Sequence, residues 1–139
     1  MEVLNLIQGK FISAKSGEWL DLINPSKGKV YGRLSRSGSE DVNLAVESAN
    51  KAFKSWSNTP RNERAACLNR LADLVAKNAK LLSDAESTDN GKPIALASSV
   101  DIPRAESNLR FYASAIQHFA SESHSMEGVA INYTLRKPL

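Results

Sequence analysis

Cysteine is almost absent. Cys67 stands alone in 139 residues, which excludes an intramolecular disulfide and, with it, the small cross-linked scaffolds of secreted proteins. Long apolar runs are lacking too. No stretch approaches the roughly 20 residues of a membrane span. Met1 to Phe11 has no basic region followed by an apolar core, so no secretory signal is expected, and a cytoplasmic location is the expectation. Charge of one sign accumulates nowhere. The net charge is +3, and Arg61, Arg64, Arg70, Lys77 and Lys80 alternate with Glu63, Asp73 and Asp84. That pattern is a solvated helix face, which argues against a small helical nucleic-acid binder.

Recognised nucleotide and metal patterns are equally scarce. No Gly-x-Gly-x-x-Gly occurs, and Gly91-Lys92 lacks the first glycine of a phosphate loop and is followed by Pro93. A loop of that kind follows a strand, whereas the residues ahead of Gly91 read as a helix. His118 and His124 have no cysteine or second histidine at ligand spacing, so a transition-metal site is not expected.

What is present is ordinary globular composition, 42% hydrophobic and 24% charged, in a length that suits one domain or part of one. A chain near 150 residues can bury about 70% of its unfolded surface. The first third reads as strands. Leu4 and Leu6, then Phe11 and Ile12, flank the turn Gln8-Gly9-Lys10. Trp19 to Ile23 is an apolar run stopped by Asn24-Pro25, Ser26-Lys27-Gly28 turns the chain, and Val30 to Leu34 follows as a further strand.

The period then changes. Val42, Ala45, Val46, Ala49, Phe53 and Trp56 fall on one face of a helix. Ser37 or Ser39 is expected to cap it, with Glu40 and Asp41 suiting the positive end of its dipole. Thr59-Pro60 is expected to open a second helix carrying Ala65, Leu68, Leu71, Ala72 and Val75. A third stretch with Leu81, Leu82 and Ala85 runs to Asp89-Asn90-Gly91, a stop that tolerates left-handed backbone. Asp101 is expected to cap a last long helix, with Pro103 in its first turn and Leu109, Tyr112, Ala113, Ile116 and Ala120 along its buried stripe. Ser121 to Gly128 reads as a loop. Val129, Ile131, Tyr133 and Leu135 then alternate with polar or small residues as a strand with one buried face and no following partner.

Several of these segments carry a family resemblance. Asn24-Pro25-x-x-Gly28 resembles a turn near the start of aldehyde dehydrogenases. Trp56-Ser57-x-x-Pro60-x-x-x-Arg64 resembles the first helix junction of that family, and Leu71-Ala72-Asp73-Leu74 its second helix. Asp89-Asn90-Gly91-Lys92-Pro93 is similar to its Asn-Gly-Lys-Pro turn, and Asp101-Ile102-Pro103-Arg104 with Arg110-Phe111-Tyr112-Ala113 to the helix after it. Within the family, Asp101 to Ala105 and Arg110 to Ala113 look most like the aminomuconic and hydroxymuconic semialdehyde dehydrogenases, as does Asn132-Tyr133-Thr134 before Arg136 and Pro138.

The resemblance implies an α/β fold, the N-terminal part of the aldehyde dehydrogenase NAD-binding domain: a small β-strand region, three or four amphipathic helices and a terminal strand, with the Rossmann core missing. Residues 1–128 would form that part, and 129–139 the start of an oligomerisation strand. The family oxidises aldehydes to carboxylic acids with NAD, by attack of a cysteine thiolate. Its nucleophile, glutamate base and NAD-binding motifs come later than anything here. No catalytic or cofactor-binding residue is therefore expected in this chain. Cys67, inside Ala65-Ala66-Cys67-Leu68, lacks the family's Gly-Gln-x-Cys setting and reads as an inert helix thiol. The resemblance also implies a sodium or potassium ion held by carbonyls of Leu22 and Ile23 and the carboxylate of Asp101. Hard cations favour such oxygens, and a cap at Asp101 is the alternative. The functional expectations are two: a piece of an NAD-dependent aldehyde dehydrogenase, inactive alone, or a non-catalytic short form that joins full-length subunits or itself.

Overall fold

The computed structural model describes residues 1–137. Pro138 and Leu139, which close the expected 129–139 segment, lie outside the described residues. Its α/β character follows the change of period in the sequence. Strand β1 (Glu2–Val3) runs parallel to β5 (Lys29–Ser35), and β4 (Trp19–Asn24) pairs antiparallel to the other side of β5, giving the order β1-β5-β4. Strands β2 (Asn5–Ile7) and β3 (Lys10–Ile12) form a separate hairpin. Its two turn residues, Gln8 at φ 56° and Gly9 at φ 73°, are both left-handed, the conformation whose twist suits a two-residue hairpin.

The Asn24-Pro25 stop works through its asparagine. Asn24 is buried, and its Oδ1 accepts from the amides of Ser26 at 3.0 Å and Lys27 at 3.1 Å. The side chain thus mimics a turn of backbone and reverses the chain into β5.

Helices α1 (Ser39–Trp56), α2 (Arg61–Lys77) and α3 (Ala79–Asn90) follow where the 3.6-residue period places them. Their caps differ from expectation. Neither Ser37 nor Ser39 caps α1: the Ser37 hydroxyl donates to Asn5 Oδ1 at 2.9 Å, and Gly38 stands at the cap position. Asp41 serves that end instead, its carboxylate accepting from the amides of Gly38 at 2.9 Å and Lys15 at 3.0 Å. Thr59 donates back to the Ser55 carbonyl at 3.3 Å, so Pro60, not Thr59, immediately precedes α2. The stop at Gly91 is as expected, with φ 78° and its amide on the Ser87 carbonyl.

The last long helix starts earlier than Asp101. A short α4 (Ile94–Leu96) leads into a π turn over Ala97–Asp101 and then α5 (Ile102–His118). Asp101 therefore lies within continuous helical backbone and makes no side-chain cap. The wide turn has a chemical cause at Pro103. A proline there offers no N–H to the turn behind it and its ring crowds that carbonyl. Widening the helix just ahead relieves the conflict, and the Ile102 amide reaches five residues back to Ala97.

At the end, the segment read as a loop contains a strand. Residues Ser123–Met126 form β6 and pair antiparallel with β7 (Ala130–Tyr133), Ser125 opposite Ile131, across a turn at Gly128 with φ 70°. The expected strand is present but shorter, and its partner precedes it.

The interior is built of small groups. The buried apolar side chains are Ala14, Ala65, Ala72, Ala97 and Ala113, with none larger among the described residues. α2 and α5 make the most extensive helix contact, with Ala65, Ala72 and Ala113 sealed from solvent on them. The apolar stripe of α1 is correctly periodic yet uncovered, since Val42, Val46, Phe53 and Trp56 are all exposed. Tyr112, expected in the buried stripe of α5, is 63% exposed.

Candidate functional site

The polar network of this fold centres on the turn between α3 and α4. Asn90 Oδ1 accepts from the Lys92 amide at 2.9 Å and its Nδ2 donates to Glu86 at 2.7 Å, while the Ser87 hydroxyl donates to the Lys92 carbonyl at 2.7 Å. This clamp fixes the backbone on both sides of Gly91 and aims the Lys92 side chain inward. Its ammonium then meets Asp101 Oδ2 at 2.6 Å and Glu86 Oε1 at 3.2 Å. The hydrogen bond to Asp101, then that to Glu86, raise the Lys92 pKa against partial burial.

The three residues named for a monovalent ion are thus placed as follows. Leu22 and Ile23 lie in β4, with an irregularity of register between them where β5 carries one extra residue, Tyr31. Asp101 lies at the end of the π turn with one oxygen already on an ammonium. A cation bound at that carboxylate would share its charge with Lys92. Among the described residues, no group of three or more His, Cys, Asp or Glu converges where it could hold a metal.

Beside β4 and β5, Tyr31 donates from its hydroxyl to Asp89 Oδ1 at 2.6 Å, which with partial burial raises the phenol pKa. The pair stands at a mostly apolar cavity of about 540 Å³ whose lining includes Leu22, Leu34, Leu81 and Ala85.

A dinucleotide needs free amides at a helix start, reached by a glycine-rich turn from a strand. The passage from β5 through Gly38 into α1 is the strand-to-helix junction here. Its end is occupied by the chain's own carboxylate: Asp41 accepts from Gly38 and Lys15, and those two bonds hold its pKa below the ordinary aspartate range. With Glu40 alongside, the junction repels a pyrophosphate. That junction does not fit the pyrophosphate of NAD.

Cys67 sits in the middle of α2, half-buried, with Arg70 Nη2 2.9 Å from its sulfur. Amides in mid-helix are committed to carbonyls one turn back, so no oxyanion donors face this thiol. His118 ends α5 and His124 lies in β6, both exposed. Sequence reasoning missed the Lys92 pairing. The Asn-Gly-Lys-Pro motif was visible, but a contact nine residues away through a π turn has no local signature.

Comparison with known proteins gives this arrangement its class. The aldehyde dehydrogenase family model matches residues 11–139. The chain is 45% identical over 136 residues to the 2-aminomuconic semialdehyde dehydrogenase of Bos taurus, a match covering 97% of this chain and 28% of that protein. It is 35% identical over 142 residues to the 2-hydroxymuconic semialdehyde dehydrogenase of Pseudomonas sp. (strain CF600), covering 99% and 29%. Among solved structures, PnpE in complex with nicotinamide adenine dinucleotide superposes with a TM-score of 0.91 at 28% identity, covering 96% of this chain and 27% of that one.

The chain belongs to the aldehyde dehydrogenase family. It spans little more than a quarter of the length of the curated relatives it matches.

Proposed function

We propose that this stretch serves as the N-terminal part of the NAD-binding domain of an NAD-dependent aldehyde dehydrogenase, and that the 139-residue chain alone oxidises nothing. The observation that carries this is the match of nearly the whole chain to 28% of a relative, and the acidic Asp41 end of the β5–α1 junction supports it. A semialdehyde of the aminomuconic type is the substrate class for the whole protein, supported by the likeness to the two muconic semialdehyde enzymes. Calorimetry with NAD and a dehydrogenase assay test the reading. Neither NAD binding nor turnover is expected, and Cys67→Ala should change nothing. An aldehyde-dependent rate lost in that variant would overturn it.

A second reading is supported by the exposed apolar surface: a non-catalytic form that associates with itself or with full-length family subunits. Val129, Ile131, Tyr133 and Leu135 are between 66% and 79% exposed at the chain's end, where residues 129–139 would begin an oligomerisation strand. No helix of the described residues is long and apolar enough to cross a membrane. In place of a sodium or potassium ion at Leu22, Ile23 and Asp101, we propose that the Lys92 ammonium meets the charge of Asp101, supported by their 2.6 Å contact.

A further inference from the structure

Arg64 closes the motif at the α1–α2 junction, and its charged side chain has no assigned role there. Its Nε is buried and has no hydrogen-bond partner among the described residues. A guanidinium N–H taken from water without an acceptor is costly, and such orphans commonly mark an ion or water that belongs there. The residue lines a cavity of about 280 Å³ with Arg61, Ile116, Phe119, Arg136 and Lys137.

Two separate segments supply these cations, the start of α2 and the chain after β7, and Ile116 and Phe119 at the end of α5 complete the lining. Phe119 organises two of the cations. Arg61 Nη1 donates to its carbonyl at 3.1 Å, and the Arg136 guanidinium lies 4.4 Å from the centroid of its ring. Elsewhere arginines find carboxylates, as in Arg33 with Glu2, Arg36 with Glu18 and Arg110 with Asp73 and Glu106. None of the four cations lining this cavity takes part in an ion pair among the described residues.

We propose that this cavity binds an oxyanion with two negative charges, of the phosphate or phosphate-monoester class. A single carboxylate would leave most of the positive charge uncompensated. A tetrahedral dianion presents acceptors in several directions, which suits donors arriving from two segments, and arginine forks are matched to it. The volume equals roughly nine waters at about 30 Å³ each, more than a bare ion needs. Ile116 and Phe119 supply an apolar wall on which a monoester's organic group can lie. This inference uses no residue of the clamp around Lys92.

The test is titration calorimetry of the 139-residue chain with inorganic phosphate and with phenyl phosphate, at ionic strength fixed by chloride. Saturable 1:1 binding is expected, with acetate weaker by about tenfold or more. Arg64→Lys, which keeps the charge and loses the buried Nε donor, should weaken phosphate by about tenfold. Because Arg64 lies within a helix, Arg136→Gln in the exposed chain after β7 provides an independent variant and should weaken binding similarly. Arg104→Gln, away from the cavity, should leave it unchanged. Tighter binding of phenyl phosphate identifies a monoester as the source, and equal binding the free ion; both uphold the site. Absence of saturable phosphate binding, equal affinity for acetate, or unchanged binding in both Arg64→Lys and Arg136→Gln overturns it. So does self-association lost in Arg136→Gln without any phosphate binding, which would assign the cavity to an acidic group of a second copy.

Discussion

Gly91 lies directly against Pro25: a β-carbon built on the glycine would stand 2.8 Å from the proline Cγ. The turn that ends α3 and the turn that ends β4 are therefore in contact, and each is shaped by the other. Two of the motifs that carry the family resemblance meet at this point.

Gly91→Ala should consequently be more damaging than an ordinary glycine substitution. Left-handed backbone costs a non-glycine residue about 1–2 kcal/mol, and Gly91 at φ 78° adds a collision with Pro25. Gly128 provides the control, with φ 70° and open space around its missing β-carbon. Denaturant melts should show Gly128→Ala losing about 1 kcal/mol and Gly91→Ala losing distinctly more. Equal losses would remove the contact from the explanation.

Asp41 sets a pH dependence. Its folded pKa is depressed, first by the hydrogen bond from Gly38 and then by that from Lys15. A carboxylate of this kind contributes stability that is present above its unfolded pKa, about 3.9, and is lost as pH falls through the lower folded value. The wild-type chain should therefore lose stability as the pH drops from about 5 toward the acid limit. In Asp41→Asn that slope should flatten, with the amide oxygen still able to accept one of the two bonds. Melts from neutral to acid pH check this.

Lys92 and Asp101 separate the two readings of the cation question. With the ammonium on the carboxylate at 2.6 Å, exchanging sodium, potassium and a large organic cation should leave the melting temperature of the wild type unchanged. Lys92→Met removes the internal cation and should introduce a dependence on the small ions. Asp101→Ala should be insensitive to all three. A sodium or potassium effect in the wild type that vanishes in Asp101→Ala would instead favour an ion there.

The β6–β7 hairpin should drive association of the isolated chain. Ile131 and Tyr133 lie on one face of it and are 72% and 66% exposed. Burying side chains of this size contributes about 1.5–3 kcal/mol each. Ile131→Ser with Tyr133→Ser should therefore weaken self-association by at least about tenfold, measured by sedimentation. A deletion intended to improve solubility belongs ahead of Ser123; cutting at Gly128 would strand β6 with unpaired amides and carbonyls. A wild-type chain that sediments as a monomer would contradict the expectation.

Much of the fold was legible because its signals are local. Gln8-Gly9 declares a hairpin by its need for left-handed backbone, and Asn24-Pro25 declares a strand end. The stripes from Val42 to Trp56 and Ala65 to Val75 declare helices by period alone. The unread parts depend on partners distant in sequence or on geometry without a residue code. Ser123-His124-Ser125-Met126 has little strand character of its own and is held by pairing with Ala130–Tyr133. The π turn answers a proline that follows it, and that turn, not a cap, fixes where Asp101 points. The cluster around Arg64 was equally hidden: its basic residues looked like a solvated face, because sequence shows charge but not which nitrogen becomes buried.

The alanine interior has a thermodynamic consequence. The heat-capacity change of unfolding comes mainly from newly exposed apolar surface, and denaturant sensitivity scales with total surface exposed. A chain whose sealed apolar groups are methyls at Ala65, Ala72, Ala97 and Ala113, with half of its described leucines and most of its valines and aromatics exposed already, has less such surface left to expose than a chain with a sealed core of large side chains. Its melting should be broad, its denaturant slope shallow for 139 residues, and its stability curve flat with temperature. Steepening of both on addition of a partner would measure how much of the apolar surface that partner covers.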